Sequence, residues 1–262
     1  MPITLHDIGC FSIMEKKRIR ADQMVLSQGL ASDLKQASAM ILAGEIVAKS
    51  GGQEWRIEKP GDQIDSGTVF RKKAVSNFVS RGGDKLLSAV QSLGLKGSFK
   101  DKRVLDVGAS TGGFTDCVLS LGSKEVVAID VGKNQLAWKL RKDPRVLVFE
   151  GTHICDAEKS VLGTFDWILA DISFNSLARL LPCVEVFSKP GTHCLLLVKP
   201  QFELSRSEVP PGGVVMDPSS REKAISSVQE EMAQRGIHVL GVAESSVHGR
   251  SGNIEVFIYG CW

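Results

Sequence analysis

From Ser80 to the end, short apolar runs alternate with stretches patterned for helices, and this alternation restricts the fold more than any other feature. Runs at 103–107, 125–129, 146–149, 167–170, 194–198, 237–242 and 254–258 read as strands. Between them, 112–121, 135–141, 176–187 and 219–234 carry apolar residues at helical spacing. Near-continuous apolar strands separated by helices predict an α/β fold, a doubly wound and mostly parallel seven-stranded sheet. Only the loop 244–252 separates the last two strands, too short for a crossover helix, so these two should pair antiparallel.

Ahead of Ser80 the pattern is different. A helix is expected from Ile19 through Met24 and Val25 to a stop at Gly29, and a second over 32–43, with Leu34, Ala37, Met40 and Ile41 on one face. Short strands at 46–48, 55–57 and 68–70 are set off by glycines and prolines. The expected organisation is an extension at 1–17, a small α+β domain at 18–72, a linker at 73–82 and a larger domain at 83–262.

The net charge is only +2, but up to Lys85 there are 13 Lys and Arg against 10 Asp and Glu. The excess is clustered: Lys16, Lys17, Arg18 and Arg20 open the small domain, Arg71, Lys72 and Lys73 close it, and Arg81 follows. Such clusters suit phosphate contact, though a solvated surface would look the same. The six cysteines, Cys10, Cys117, Cys155, Cys183, Cys194 and Cys261, form no CxxC pair. That argues against a metal site or a disulfide framework and for a reducing cytoplasm. The first residues show no basic stretch followed by an apolar one, so no signal peptide is expected, and the run Cys194 to Val198 is too short to span a bilayer. Trp55, Trp138, Trp167 and Trp262 read as packing residues, Trp138 with the option of lining a pocket.

The strongest local signal is the run from Val104 to Asp116. Asp106 ends a strand, Gly108, Ala109, Ser110, Thr111, Gly112 and Gly113 make a small-residue turn, and Phe114 enters a helix. Such a turn lets the polar parts of a cofactor approach backbone N–H groups. Asp130 ends the next strand, where a carboxylate can accept both ribose hydroxyls of an adenosine, with Val131 beside it. A dinucleotide site would want glycine at Ser110, where backbone meets a pyrophosphate. S-adenosylmethionine lacks that group, and Asp106 suits its methionine ammonium. Asp171, Lys199 and Glu255 fall at strand ends along one sheet edge, and Lys85 joins them from the segment Ser80 to Leu86.

These segments resemble the TlyA family, a branch of the FtsJ-like ribose methyltransferases that also carries the label haemolysin. The resemblance runs from about Lys16 onward and is most specific at Val79 to Leu86, Asp106 to Asp116, Gln135 to Arg141, Lys199 to Glu203 and Gly212 to Val215. It implies a Rossmann-like class I methyltransferase domain using S-adenosylmethionine to methylate a ribose 2′-hydroxyl of ribosomal RNA, and no metal. It implies a catalytic set of Lys85, Asp171, Lys199 and Glu255, with Lys199 as base when burial, Lys85 and the sulfonium keep it neutral. Thr152, His153 and Asp171 would complete the cofactor contacts. The domain at 18–72 resembles the S-four-type RNA-binding domain. Its partners would be ribosomal RNA or ribosomal subunits, in the cytoplasm, with no stable membrane association. Three positions depart from the family pattern: Asp33-Leu-Lys-Gln36 stands for an expected Ser-Arg, Thr152-His-Ile-Cys155 for Thr-Asn-x-Arg, and Met216 for a basic residue. Two other functions are weighed. A membrane-damaging haemolysin would need a transmembrane hairpin, a basic amphipathic helix or an export signal. An RNA-binding protein without catalysis would not need the intact turn and tetrad.

Overall fold

The computed structural model describes residues 17–73, 77–247, 249 and 252–262. The chain divides into two units, Met1–Val75 and Ser76–Trp262.

The first unit runs β1 (Arg18–Arg20), α1 (Ala21–Ser27), α2 (Leu34–Leu42), β2 (Ile46–Ser50), β3 (Gln53–Arg56), β4 (Gln63–Asp65) and β5 (Val69–Lys72). β1 pairs antiparallel with β4, and β2 pairs antiparallel with both β3 and β5. Ala21, Met24 and Val25 of the first helix close on Ala37, Met40 and Ile41 of the second, and Ile46, Ala48 and Phe70 complete this core. Leu34, expected on the buried face, is instead exposed in the first turn. That helix starts two residues later than expected because the Asp33 carboxylate caps it, accepting from Gln36 N–H at 2.7 Å. The strand β4 carries no apolar run and was not anticipated.

The second unit begins with α3 (Arg81–Ser92), which corrects the expected linker at 73–82. The Ser80 side chain caps this helix, and the Asp116 carboxylate holds Val79 N–H at 2.8 Å, so the end of the supposed linker is fixed to the domain. Residues 74–76 lie outside the described residues, as do the expected extension up to Lys16 and part of the last loop. Next come β6 (Arg103–Val107), α4 (Gly113–Ser120), β7 (Glu125–Asp130), α5 (Trp138–Arg141), β8 (Val146–Glu150), α6 (Lys159–Leu162) and β9 (Trp167–Ala170). The chain ends with α7 (Leu177–Glu185), β10 (His193–Val198), α8 (Pro200–Glu203), α9 (Pro218–Gln234), β11 (His238–Glu244) and β12 (Val256–Cys261).

These seven strands form one sheet in the order β11-β12-β10-β9-β6-β7-β8. β6 to β10 are parallel to one another, and β12 runs antiparallel between β10 and β11. Strand residues alternate between two cores. Val104, Val126, Ala128, Trp167, Leu169, Leu195 and Leu197 pack with α3 and α4 residues on one face. Leu105, Val127, Ile129, Ile168, Leu196 and Val198 pack with α7 and α9 residues on the other. Burial on both faces is why these strands read as unbroken apolar runs. The chain winds one way from β6 through β7 to β8 and the other way through β9 to β10. The connections leaving the carboxyl ends of the neighbouring strands β6 and β9 therefore run in opposite directions and leave a cleft, where open α/β sheets bind ligands.

Two further expectations are corrected. Helix 135–141 shrinks to α5 because the Glu150 carboxylate takes the N–H groups of Asn134, Gln135 and Leu136 into a turn. The cysteines are not all unpaired: Cys155 and Cys183 form a disulfide across 28 residues. The single turn Ile154–Asp156 packs against α7, and this brings the two sulfurs together. Cys117, Cys194 and Cys261 are free. Among the tryptophans, Trp167 is buried, whereas Trp138 is 68% exposed beneath Lys142 and takes no part in lining the cleft. No helix among the described residues is long and apolar enough to cross a membrane.

Candidate active site

The cleft at these strand ends has a volume of about 920 Å³ and receives residues from the segments singled out in the second unit except Gly212 to Val215. Its floor is the turn after β6. Gly108 has φ of +82°, and a Cβ there would sit 2.6 Å from the Asp171 carbonyl oxygen. Glycine thus lets the ends of β6 and β9 approach. At Gly113 a Cβ would run into Ser80 Oγ and come within 2.8 Å of Gly83 N, so α4 and α3 also touch backbone to backbone. Ser110 adopts φ of +48°, unusual for a residue with a side chain. It is held there by its N–H to Asp130 Oδ2 at 2.8 Å and its hydroxyl to Gln135 at 3.2 Å.

Asp130 donates nothing and accepts twice, from Ser110 N–H and from Gly132 N–H at 2.7 Å. It therefore organises the wall around it as well as offering remaining lone pairs to a ribose. Asp106 is wholly buried. One oxygen accepts from Thr115 N–H at 2.9 Å and Thr115 hydroxyl at 2.6 Å. The other, Oδ1, is buried with no hydrogen-bond donor among the described residues. Burial above all, aided by the charges of Asp171 and Asp130, pushes this carboxyl up to about 7 against the pull of Thr115. A buried carboxylate with one unsatisfied oxygen, lining a cleft, is a fitting acceptor for a cationic amine. Val131, Thr152 and His153 line the same cleft, as do Ala109, Thr111 and Phe114, whereas Gly112 is not among its walls. His153 Nδ1 accepts Cys155 N–H at 3.2 Å, capping the turn.

The catalytic candidates converge as two ion pairs. Lys85, on α3, reaches Glu255 at 2.5 Å, and Lys199, at the end of β10, reaches Asp171 at 2.6 Å. Lys199 Nζ also donates to Ser173 Oγ at 2.8 Å. Lys199 and Glu255 are buried, and all four residues line the cleft. Lys199 is thus set against Asp171 and Ser173, and Lys85 belongs to the other pair.

Several contributors were not anticipated. Ser173 is one. Glu150 is another: Arg141, first, and three backbone N–H groups hold its carboxyl down to about 2, and it shapes the turn bearing Gln135. Glu203 seats its carboxylate on the start of α7, accepting from Leu177 N–H at 2.8 Å and Ser176 Oγ at 2.7 Å, and so ties the segment after β9 to that after β10. Phe174 is 89% exposed at φ of +68° and packs on Phe202. Only Glu203, inside the run Lys199 to Glu203, carried a sequence signal.

The expected RNA-contacting residues come from several elements. Lys17, Arg18 and Arg20 lie at β1, while Arg71, Lys72 and Lys73 lie on or just after β5, in a different sheet. Arg20 is engaged with Asp22 and Arg71 with Glu54. Arg81 belongs to the second unit and lines the cleft. Lys16 lies outside the described residues.

A parallel sheet with one antiparallel strand inserted near its edge, a small-residue turn after β6 and an acid at the end of β7 define an S-adenosylmethionine-dependent methyltransferase. Residues 78–261 match the FtsJ-like methyltransferase family. The chain belongs to that family. It is 38% identical over 251 residues to the 16S/23S rRNA (cytidine-2′-O)-methyltransferase TlyA of Mycobacterium tuberculosis (strain ATCC 25618 / H37Rv), covering 93% of this chain and 90% of that one. It is 35% identical over 239 residues to Hemolysin A of Brachyspira hyodysenteriae, covering 90% and 97%. A solved Streptococcus thermophilus protein bearing a hemolysin label superposes with a TM-score of 0.71 at 37% identity, over 94% of this chain and 89% of that one.

Proposed function

We propose that the protein transfers a methyl group from S-adenosylmethionine to a ribose 2′-hydroxyl of ribosomal RNA. The observation that carries this reading is the double ion pair, Lys85–Glu255 and Lys199–Asp171, assembled on the wall of the cofactor cleft. A ribose hydroxyl is a poor nucleophile until its proton is drawn off and its oxygen aligned. Lys199 is the proposed proton acceptor, and Asp171 and Ser173 fix where its amine points. Lys85, steered by Glu255, supplies positive charge near the oxygen as it becomes anionic. The bound cofactor supplies an electrophilic methyl group on a sulfonium. The relatives named for ribosomal RNA methylation support the choice of substrate.

The same reading assigns the cofactor contacts to Asp106, Gly108 to Thr111, Gly113, Phe114, Asp130, Val131, Thr152, His153 and Asp171. Lys17, Arg18, Lys72 and Lys73 of the first unit are proposed to touch RNA phosphates, more freely than Arg20 and Arg71, whose guanidiniums already hold carboxylates. The exposed Phe174 ring offers a face on which a nucleobase can stack. Ribosomal RNA as substrate supports a cytoplasmic location. The test is labelled methyl transfer from S-adenosylmethionine to bare ribosomal subunits and to free ribosomal RNA. Label that resists alkaline cleavage at one nucleotide, and is lost in Lys199→Ala, supports ribose methylation. Tight cofactor binding with no label on any RNA would sink it.

A further inference from the structure

Beside the main cleft lies a second hollow of about 660 Å³, and the two share His153, Phe174, Asn175, Leu180 and Phe202 in their walls. It sits close to the catalytic pair, since Phe174 follows Asp171 by three residues and Phe202 follows Lys199 by three. Its remaining wall includes Arg179, on α7, and Arg206, just beyond α8, both exposed.

Most other arginines of this unit are engaged: Arg103 with Glu125, Arg141 with Glu150, Arg145 with Asp143, and Arg235 with Glu185 and Glu231. No carboxylate pairs with Arg179 or Arg206 among the described residues. The one acid lining the hollow, Glu203, is occupied by the start of α7 and by Ser176. That carboxylate also fills the helix N-terminus, so an incoming anion would have to be met by the two guanidiniums. A guanidinium presents a planar fork of donors that matches two phosphate oxygens at once.

We infer that Arg179 and Arg206 bind the phosphodiester groups next to the target nucleotide and so hold its ribose against Lys199. This rests on the reading of the cleft as an RNA ribose methyltransferase. The ligand is RNA backbone, bound through charge rather than base identity, so the contacts should weaken steeply with salt.

The experiment compares the full-length protein with Arg179→Gln/Arg206→Gln, measuring methyl transfer to ribosomal RNA at several salt concentrations, with S-adenosylmethionine affinity by calorimetry in parallel. KM for RNA should rise by about tenfold at moderate salt, and the slope of its logarithm against log salt should fall by roughly 1 to 2. Cofactor affinity should not move. Arg179→Lys/Arg206→Lys should recover most of the salt slope, which a purely structural role would not predict. Unchanged KM and slope in the glutamine variant, with wild type active, would overturn this inference alone. A drop in kcat without change in KM or slope would overturn it equally, placing the arginines in chemistry or folding. Failure of the wild type to methylate any RNA would instead remove the reading beneath it.

Discussion

The cofactor side of the cleft comes mainly from one stretch of chain, Asp106 to Phe114, closed by Asp130 through hydrogen bonds to Ser110 and Gly132. The proposed catalytic side draws Lys85, Asp171, Lys199 and Glu255 from four segments, and one of its ion pairs joins residues 170 positions apart. The first side is a backbone shape fixed by glycines and N–H groups. The second is an arrangement of charged side chains that exists only once the sheet has formed. Damage to the catalytic side should therefore cost rate and spare cofactor binding, while damage to the turn should cost both.

The largest effect is expected for Lys199→Ala. If Lys199 is the proton acceptor proposed above, its removal should lower single-turnover methyl transfer by about 10²- to 10⁴-fold, with S-adenosylmethionine affinity retained in calorimetry. A large loss of cofactor affinity in this variant would mean that the two sides are not separable. Gly108→Ala attacks the seam between them. Its φ of +82° and the Asp171 carbonyl at 2.6 Å from an added Cβ leave no room, so backbone must shift. A strain of roughly 1–3 kcal/mol should appear as a lower melting temperature, with weakened cofactor binding and reduced rate together.

This contrast also explains what could be read in advance. The turn was legible because its requirements fall on consecutive residues: an acid, glycines where backbone must bend or approach, then a helix start. The sheet was legible because burial on both faces leaves unbroken apolar runs. Individually, Lys85, Asp171, Lys199 and Glu255 look like surface charges or caps. Their grouping came from strand-end placement and family resemblance, and the pairing Lys85 with Glu255 and Lys199 with Asp171 could not be read from spacing. Ser173 and Glu150 were missed because a serine three residues beyond a strand, or a glutamate ending one, carries no local signal. The Cys155–Cys183 link escaped because it depends on the turn at 154–156 packing against α7. The start of α3 was hidden by Gly82 and Gly83, poor helix residues of which the first lies against Gly113 and the second leaves room for the Phe78 ring.

A smaller effect separates the sides by pH. Burial raises the Asp106 carboxyl to about 7 in the folded protein, from 3.8 in an unperturbed chain. Only its charged form attracts the cofactor's ammonium, so affinity should improve by about tenfold between roughly pH 6 and pH 8. The same shift has the opposite sign for folding. The folded state keeps the proton that the unfolded chain releases, so this group's contribution to stability falls as pH rises from 3.8 to about 7, then levels off. Calorimetric titrations across this range should show the affinity trend in wild type and its absence in Asp106→Asn. An unchanged trend in that variant would assign it to another group.

The smallest effect belongs to Ser173→Ala. Its hydroxyl is one of two partners of Lys199 Nζ, at 2.8 Å, while Asp171 stands at 2.6 Å. Losing one hydrogen bond to Lys199 while the Asp171 contact remains should cost about 1 kcal/mol, a fall in kcat of roughly fivefold. Cofactor affinity and melting temperature should stay put, because Ser173 is exposed on the cleft wall and lies outside both cores. If kcat instead fell as far as in Lys199→Ala, the hydroxyl would be relaying the proton rather than steering the amine. The catalytic side would then be a chain running from the RNA through Ser173 to Lys199, not a lysine aimed by its neighbours.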